Sequence, residues 1–142
     1  GNGLKGCLDR ESKSLIKLYK RKHFPILLSK NTKDNYIIMS NYGIPLNENN
    51  IPINWKDQIN TIIKTLLQCN VSNNDMWVNN FLVKNDIIHL VDFGWSSNKE
   101  NFPFINISEK DLENFNNIFN LIDHVTQRIV EKRLQFYNKL LE

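Results

Sequence analysis

A chain of 142 residues with 41% apolar and 23% charged side chains suits one packed domain, which argues against wholesale disorder and against a disulfide-stapled miniprotein. No apolar run reaches the roughly 18–20 residues of a membrane span, and no signal-peptide pattern opens the chain. A net charge of +3 is too mild to mark a nucleic-acid binder, so no specific nucleic-acid binding is expected.

From residue 9 to 22 the apolar residues Leu15, Ile16, Leu18 and Tyr19 recur at helical spacing, and Asp9 or Ser12 is placed to cap the start. Lys17, Lys20, Arg21 and Lys22 form a basic cluster on this stretch, read as a solvated face or as a contact for an acidic partner. Residues 24–28 and 36–40 are short apolar runs around a polar turn and predict two strands. Residues 45–52, rich in Asn, predict a loop. Trp55, Ile59, Ile62, Ile63, Leu66 and Leu67 lie on one stripe and predict a helix over 55–69. After a polar stretch, residues 81–84 and 87–91 predict a hairpin around Asn85-Asp86.

The tail carries the strongest helical signal. Ser108-x-x-Asp111 resembles a capping box, and Phe115, Ile118, Ile122, Val125 and Ile129 follow a 3-4-3-4 rhythm. Val130, Leu134, Phe136, Tyr137 and Leu141 continue it after a one-residue shift. Either one long helix or two packed ones fit, covering the core or serving as a homodimer or partner contact through residues 108–142. Asparagine occurs 23 times and alanine never, a bias that reflects an AT-rich coding sequence more than chemistry. Cys7 and Cys69 have no CxxC partner, and His23, His89 and His124 complete no zinc pattern. Idle thiols of this kind fit a reducing compartment, and a cytoplasmic location is expected.

The hairpin's register focuses the chemistry. A two-residue turn pairs Lys84 with Ile87, Val83 with Ile88 and Phe81 with Leu90. One step further, Asn80 faces Val91 and Asn79 faces Asp92, and opposed residues lie about 4.5–5.5 Å apart. The open end of the ribbon thus carries an amide oxygen beside a carboxylate, with Asp75 in reach from upstream. Hard oxygens of this kind fit Mg²⁺ and phosphate.

Asp75-Met-Trp-Val-Asn-Asn80 has the Asp-to-Asn separation of the protein-kinase catalytic loop, and Asp92-Phe93-Gly94 is the metal-binding triplet that follows it. Residues 9 to 95 therefore resemble the protein-kinase-like superfamily. The resemblance implies an α+β protein-kinase-like fold with a mostly helical C-lobe, a catalytic β-hairpin, a reduced N-lobe and a long C-terminal helical segment. It divides the chain into an N-lobe remnant over 1–44, a C-lobe core over 45–107 and a helical tail over 108–142. By the same resemblance Asp75 is catalytic, Asn80 and Asp92 hold metal, and ATP and Mg²⁺ are the cofactors. Tyr36-Ile-Ile-Met-Ser-Asn-Tyr-Gly43 resembles the fifth strand and hinge, with Met39 and Asn41 on the nucleotide side. Glu11 stands where the helix-C glutamate would.

Departures narrow the acceptor. The usual His and Arg before the catalytic Asp are Asn73 and Asn74, the frequent Lys two residues after it is Trp77, and no Ala-Pro-Glu closes an activation segment. These features look like small-molecule and glycan kinases, similar to aminoglycoside phosphotransferases and lipopolysaccharide kinases, and imply a sugar or small-molecule hydroxyl as acceptor. No glycine-rich loop or phosphate-binding lysine is found before Glu11. Competing readings are a degenerate kinase fold that binds nucleotide or scaffolds, a serine/threonine kinase fragment, and an unrelated α+β interaction domain.

Overall fold

The computed structural model describes residues 2–31, 36–39, 42–97 and 105–141, with side chains for 8–28, 42–97 and 105–141. The elements in chain order are helix α1 (Asn2–Lys17), strands β1 (Leu27–Asn31), β2 (Tyr36–Met39) and β3 (Ile44–Pro45), and helix α2 (Trp55–Cys69). A 3-10 turn (Val78–Asn80), strands β4 (Phe81–Lys84) and β5 (Ile87–Leu90), and helices α3 (Glu109–Asn114) and α4 (Ile118–Leu141) follow. The strands form two antiparallel sheets, β1-β2 and β3-β4-β5.

The hairpin β4-β5 has the register its turn dictates, with Phe81 opposite Leu90, Val83 opposite Ile88 and Lys84 opposite Ile87. Asn85 at φ 51° and Asp86 at φ 63° give positive φ at both central residues, the geometry whose twist matches a two-residue hairpin. Helix α2 carries the hairpin. Its buried Gln58 donates to the carbonyl of Asp86 (2.8 Å) and accepts from the amide of Ile88 (2.8 Å). On the same strand, Leu90 N–H donates to the carbonyl of His23 (2.9 Å), and His23 Nδ1 lies 2.7 Å from the Ile88 carbonyl. Polar groups that a bare sheet edge would expose are thereby satisfied.

Gly43 fixes the approach of the segment before β3 to the hairpin. At φ +105° a Cβ would stand 2.1 Å from the Val83 carbonyl oxygen, so only glycine fits. One core holds these parts together, with Leu15 and Leu18 of the first helical stretch, Ile59, Ile62 and Leu66 of α2, Phe81, Ile88, Leu90 and Phe93 at the hairpin, and Leu121, Ile122 and Val125 of α4.

Several bounds differ from the sequence expectation. The first helix spans Asn2–Lys17 rather than 9–22. Lys20 turns to φ 59° and ends it, whereas Gly3 and Gly6 do not prevent helix upstream. The next strand starts at Leu27 rather than at residue 24. Phe24 is buried against Phe93 (ring centroids 6.1 Å apart), and Pro25 has no N–H for a ladder. Residues 44–45, at the edge of the expected loop, pair with β4, while Asn47, Asn49 and Asn50 close the turn on their own backbone.

The tail is two helices. Ser108 Oγ accepts from Asp111 N–H (3.0 Å) and Asp111 accepts from Ser108 N–H (2.9 Å), the reciprocal capping box. Asn117 Oδ1 starts α4 by accepting from the amides of Phe119 (2.8 Å) and Asn120 (3.2 Å). Through Ile129 the inner stripe of α4 is buried in the core, and beyond it Val130, Leu134, Tyr137 and Leu141 are exposed. Among the described residues no helix is long and apolar enough to cross a membrane.

Candidate active site

The loop between α2 and β4 is fastened by the two asparagines that precede Asp75. Asn73, wholly buried, accepts from Asp75 N–H (2.9 Å) and donates to the carbonyls of Val91 (3.2 Å) and Asp92 (2.9 Å). One amide thus holds the loop carrying Asp75 against the strand exit carrying Asp92. Asn74, at φ 61°, donates to Trp95 O (3.1 Å) and Ser97 Oγ (2.7 Å). Its Oδ1 accepts from Ser72 Oγ (2.6 Å) and from Ile105 N–H (3.3 Å). Two buried amides therefore do the fastening where the kinase pattern has His and Arg.

Asn80 ends the 3-10 turn, six per cent exposed. Its Nδ2 donates to the Asp75 carbonyl (2.7 Å) and to Asp75 Oδ2 (3.2 Å), so its amide oxygen, on the other side of the planar group, points away from Asp75. Val91 N–H donates to the Asn80 carbonyl (2.9 Å), one rung beyond the hairpin and as the register requires. Asp92 leaves the strand at φ 64°, with Oδ1 accepting from Gly94 N–H (3.3 Å). Phe93 beside it is fully buried and anchors the triplet in the core.

These side chains face two clefts. The larger, about 460 Å³, is lined by Asn80, Asp92 and Glu11 together with Pro25, Tyr42, Leu82 and Val91. The smaller, about 210 Å³, is lined by Asp75, Met76 and Trp77 and, from α4, by Thr126, Ile129, Val130 and Arg133. The Asn80–Asp75 hydrogen bond stands between them.

Charge accumulates at this junction. Burial raises the Asp75 carboxyl above its ordinary value, the negative charge of Asp92 adds to the effect, and Arg133 and the Asn80 bond oppose it. Burial likewise raises Glu11, a bond from the Phe93 backbone opposes this, and Asp92 again adds repulsion. Glu11 Oε1 is buried with no hydrogen-bond partner among the described residues.

A cation would relieve this repulsion. Asn80 and Asp92 offer hard oxygens on one cleft, and the described residues contain no cluster of three or more His, Cys, Asp or Glu suited to hold a metal alone. A site of this composition fits Mg²⁺ held jointly with phosphate oxygens and water.

Among the expected site residues, the structure joins Asp75 to Asn80 by a hydrogen bond and sets Asn80, Asp92 and Glu11 on one cleft. Met39 lies on β2 with its side chain outside the described residues, and Asn41 lies outside them altogether. Sequence reasoning missed Tyr42 and Leu82 as cleft walls and, on the tail, Thr126 and Arg133. Thr126 Oγ1 donates to the Met76 carbonyl (2.6 Å), and Arg133 donates to the Asn74 carbonyl. Neither has a signal in the sequence: both are polar residues off the apolar rhythm of α4, and that rhythm reports only which stripe is buried.

No protein-family model matches the chain, and no curated protein matches it. Its fold is similar to that of solved structures that include a viral kinase. One is the kinase PK-1 of Cydia pomonella granulovirus, matched at a TM-score of 0.52 and 18% identity over 85% of this chain and 54% of that one. At that identity the likeness speaks for the fold alone, and the chain spans about half the length of that kinase.

Proposed function

We propose that the chain is the core of an ATP- and Mg²⁺-dependent phosphotransferase acting on a hydroxyl of a sugar, glycan or other small molecule. The observation that carries this reading is the direct Asn80–Asp75 bond between two clefts, one lined by cation-binding oxygens and one facing Asp75. Pro25, Tyr42, Leu82 and Val91 supply apolar walls for a base in the larger cleft, with Asn80 and Asp92 at its phosphate end. Mg²⁺, when bound, would neutralise charge on the phosphates. In the smaller cleft, Asp75 orients the acceptor hydroxyl and takes its proton. The hydroxyl oxygen bonds to the γ-phosphorus as the bond to the β–γ bridging oxygen breaks, and ADP leaves.

A cleft of about 210 Å³ beside the half-exposed indole of Trp77 has room for an acceptor group of sugar-ring size. The test is transfer of label from γ-labelled ATP to a panel of sugars, glycans and hydroxylated small molecules. Wild-type labelling that falls at least about 100-fold in Asp75→Asn and in Asp92→Asn supports the reading. Labelling retained in both variants rejects it.

A second reading, nucleotide binding without transfer, is favoured by one observation. The half-buried Glu11 side chain has one buried carboxylate oxygen with no hydrogen-bond partner among the described residues, where an active kinase pairs this glutamate with a lysine. Calorimetric ATP binding without labelling of any acceptor would select it.

A further inference from the structure

The catalytic loop has no cation of its own near Asp75. Two residues after it, where many kinases place a lysine, stands Trp77. The tail helix brings one instead. Arg133 Nη2 lies 3.9 Å from Asp75 Oδ1 and also donates to the carbonyl of Asn74. The guanidinium carbon lies 4.6 Å from the centre of the Trp95 ring, a cation–π contact that helps hold it in place. The side chain is 23% exposed, although its neighbours Val130 and Leu134 on the same helix are about half exposed. Thr126, two helical turns earlier on the same face, bonds to the Met76 carbonyl, so α4 grips the loop on both sides of Asp75.

We propose that Arg133, carried on α4, is the positioning residue for Asp75. It pins the carbonyl of Asn74, a non-glycine residue at positive φ, and its charge holds the Asp75 carboxylate toward the acceptor cleft. The C-terminal helix is thereby part of the catalytic apparatus. Arg133 acts through Asp75, on the phosphotransfer reading given above. Guanidinium suits the task because it donates in a plane to a carbonyl while making a cation–π contact with an indole, which an ammonium does less well.

The experiment is steady-state kinetics on the full chain for wild type, Arg133→Met, Arg133→Gln, Arg133→Lys, Asp75→Asn and the Asp75→Asn/Arg133→Met double variant, with thermal melts of each. Arg133→Met is expected to lower kcat about 10–100-fold, as misplacement of a catalytic group does, with the KM for ATP within about twofold. Arg133→Lys, which keeps the charge but not the planar fork, is expected to recover part of the loss. The double variant should be no slower than Asp75→Asn, because the two residues act as one unit. Arg133→Gln keeps a donor for the Asn74 carbonyl without the charge, and reads the same split if Arg133→Met does not fold. An unchanged kcat in folded variants, a loss confined to KM, or multiplicative losses in the double variant would overturn the role while leaving the phosphotransfer reading intact. A wild type that transfers no phosphate to any acceptor would overturn both.

Discussion

At the scale of single residues, asparagine does work that its frequency conceals. Asn73 satisfies three main-chain groups from two segments, all next to the candidate catalytic carboxylates. Asn73→Ala leaves a buried amide and two carbonyls unpaired, for an expected loss of about 2–3 kcal/mol in urea unfolding, well beyond an average surface change. Gly43→Ala meets the Val83 carbonyl at a positive φ and is expected to cost about 2 kcal/mol in the same measurement. The spacing of Asp75, Asn80 and Asp92 was legible because a two-residue turn fixes the hairpin register, and with it the pairing of Asn80 and Val91. The work of Asn73 and Asn74 was not, since an amide's role is set by partners 18 to 31 residues away. Read only as departures from a motif, they turn out to be the loop's fasteners.

At the scale of elements, the helical tail shows how local chemistry is reused. Asp111 closes the capping box of α3 and also receives both Nη atoms of Arg128 from α4, at 2.9 and 2.7 Å. Although burial alone would raise it, the bonds from Arg128 and Ser108 hold its carboxyl down at about 2, from an ordinary 3.8. A carboxyl depressed in the folded state stabilises the fold only while it is ionised. Its contribution, on the order of 1–2 kcal/mol after solvent screening of the half-open Arg128, is complete above about pH 4 and is lost as pH falls toward 2. Asp111→Asn should therefore lower stability at pH 7 and flatten the acid arm of the urea midpoint against pH. An unchanged acid arm would refute the coupling. The capping box was visible in Ser108-x-x-Asp111, and the residues of α2 were visible as a stripe. The helix break at 115–117 was not, because Asn117 is one asparagine in a run of them and only its two amide partners mark it as a cap. The first helix was misplaced for a related reason: glycines discourage helix by propensity, yet the helix runs through Gly3 and Gly6 from Asn2.

At the scale of the whole molecule, three parts converge on one junction. Helix α1 contributes Glu11 to the larger cleft, and its Arg10 Nε donates to the Gly94 carbonyl (2.6 Å) just after the Asp92 triplet. Ser14 of α1 bonds to Ser96 (2.6 Å). The hairpin supplies Asn80 and Asp92, and α4 closes the far side through Thr126 and Arg133. The helices, the strands and the hairpin among them were legible from pattern, and the α+β, kinase-like fold from the letters of the motifs. The contribution of α4 was hidden because periodicity reports which face is buried, not what it is buried against.

On the proposed function, Asn80 and Asp92 make nucleotide binding depend on a divalent cation. The most direct test of this dependence is calorimetric titration of the chain with ATP, with and without Mg²⁺, in wild type and Asp92→Asn. ATP affinity is expected to rise at least about tenfold with Mg²⁺ in wild type and to show no such rise in the variant. Equal affinities with and without Mg²⁺ in wild type, or a Mg²⁺ effect that survives in Asp92→Asn, would contradict it.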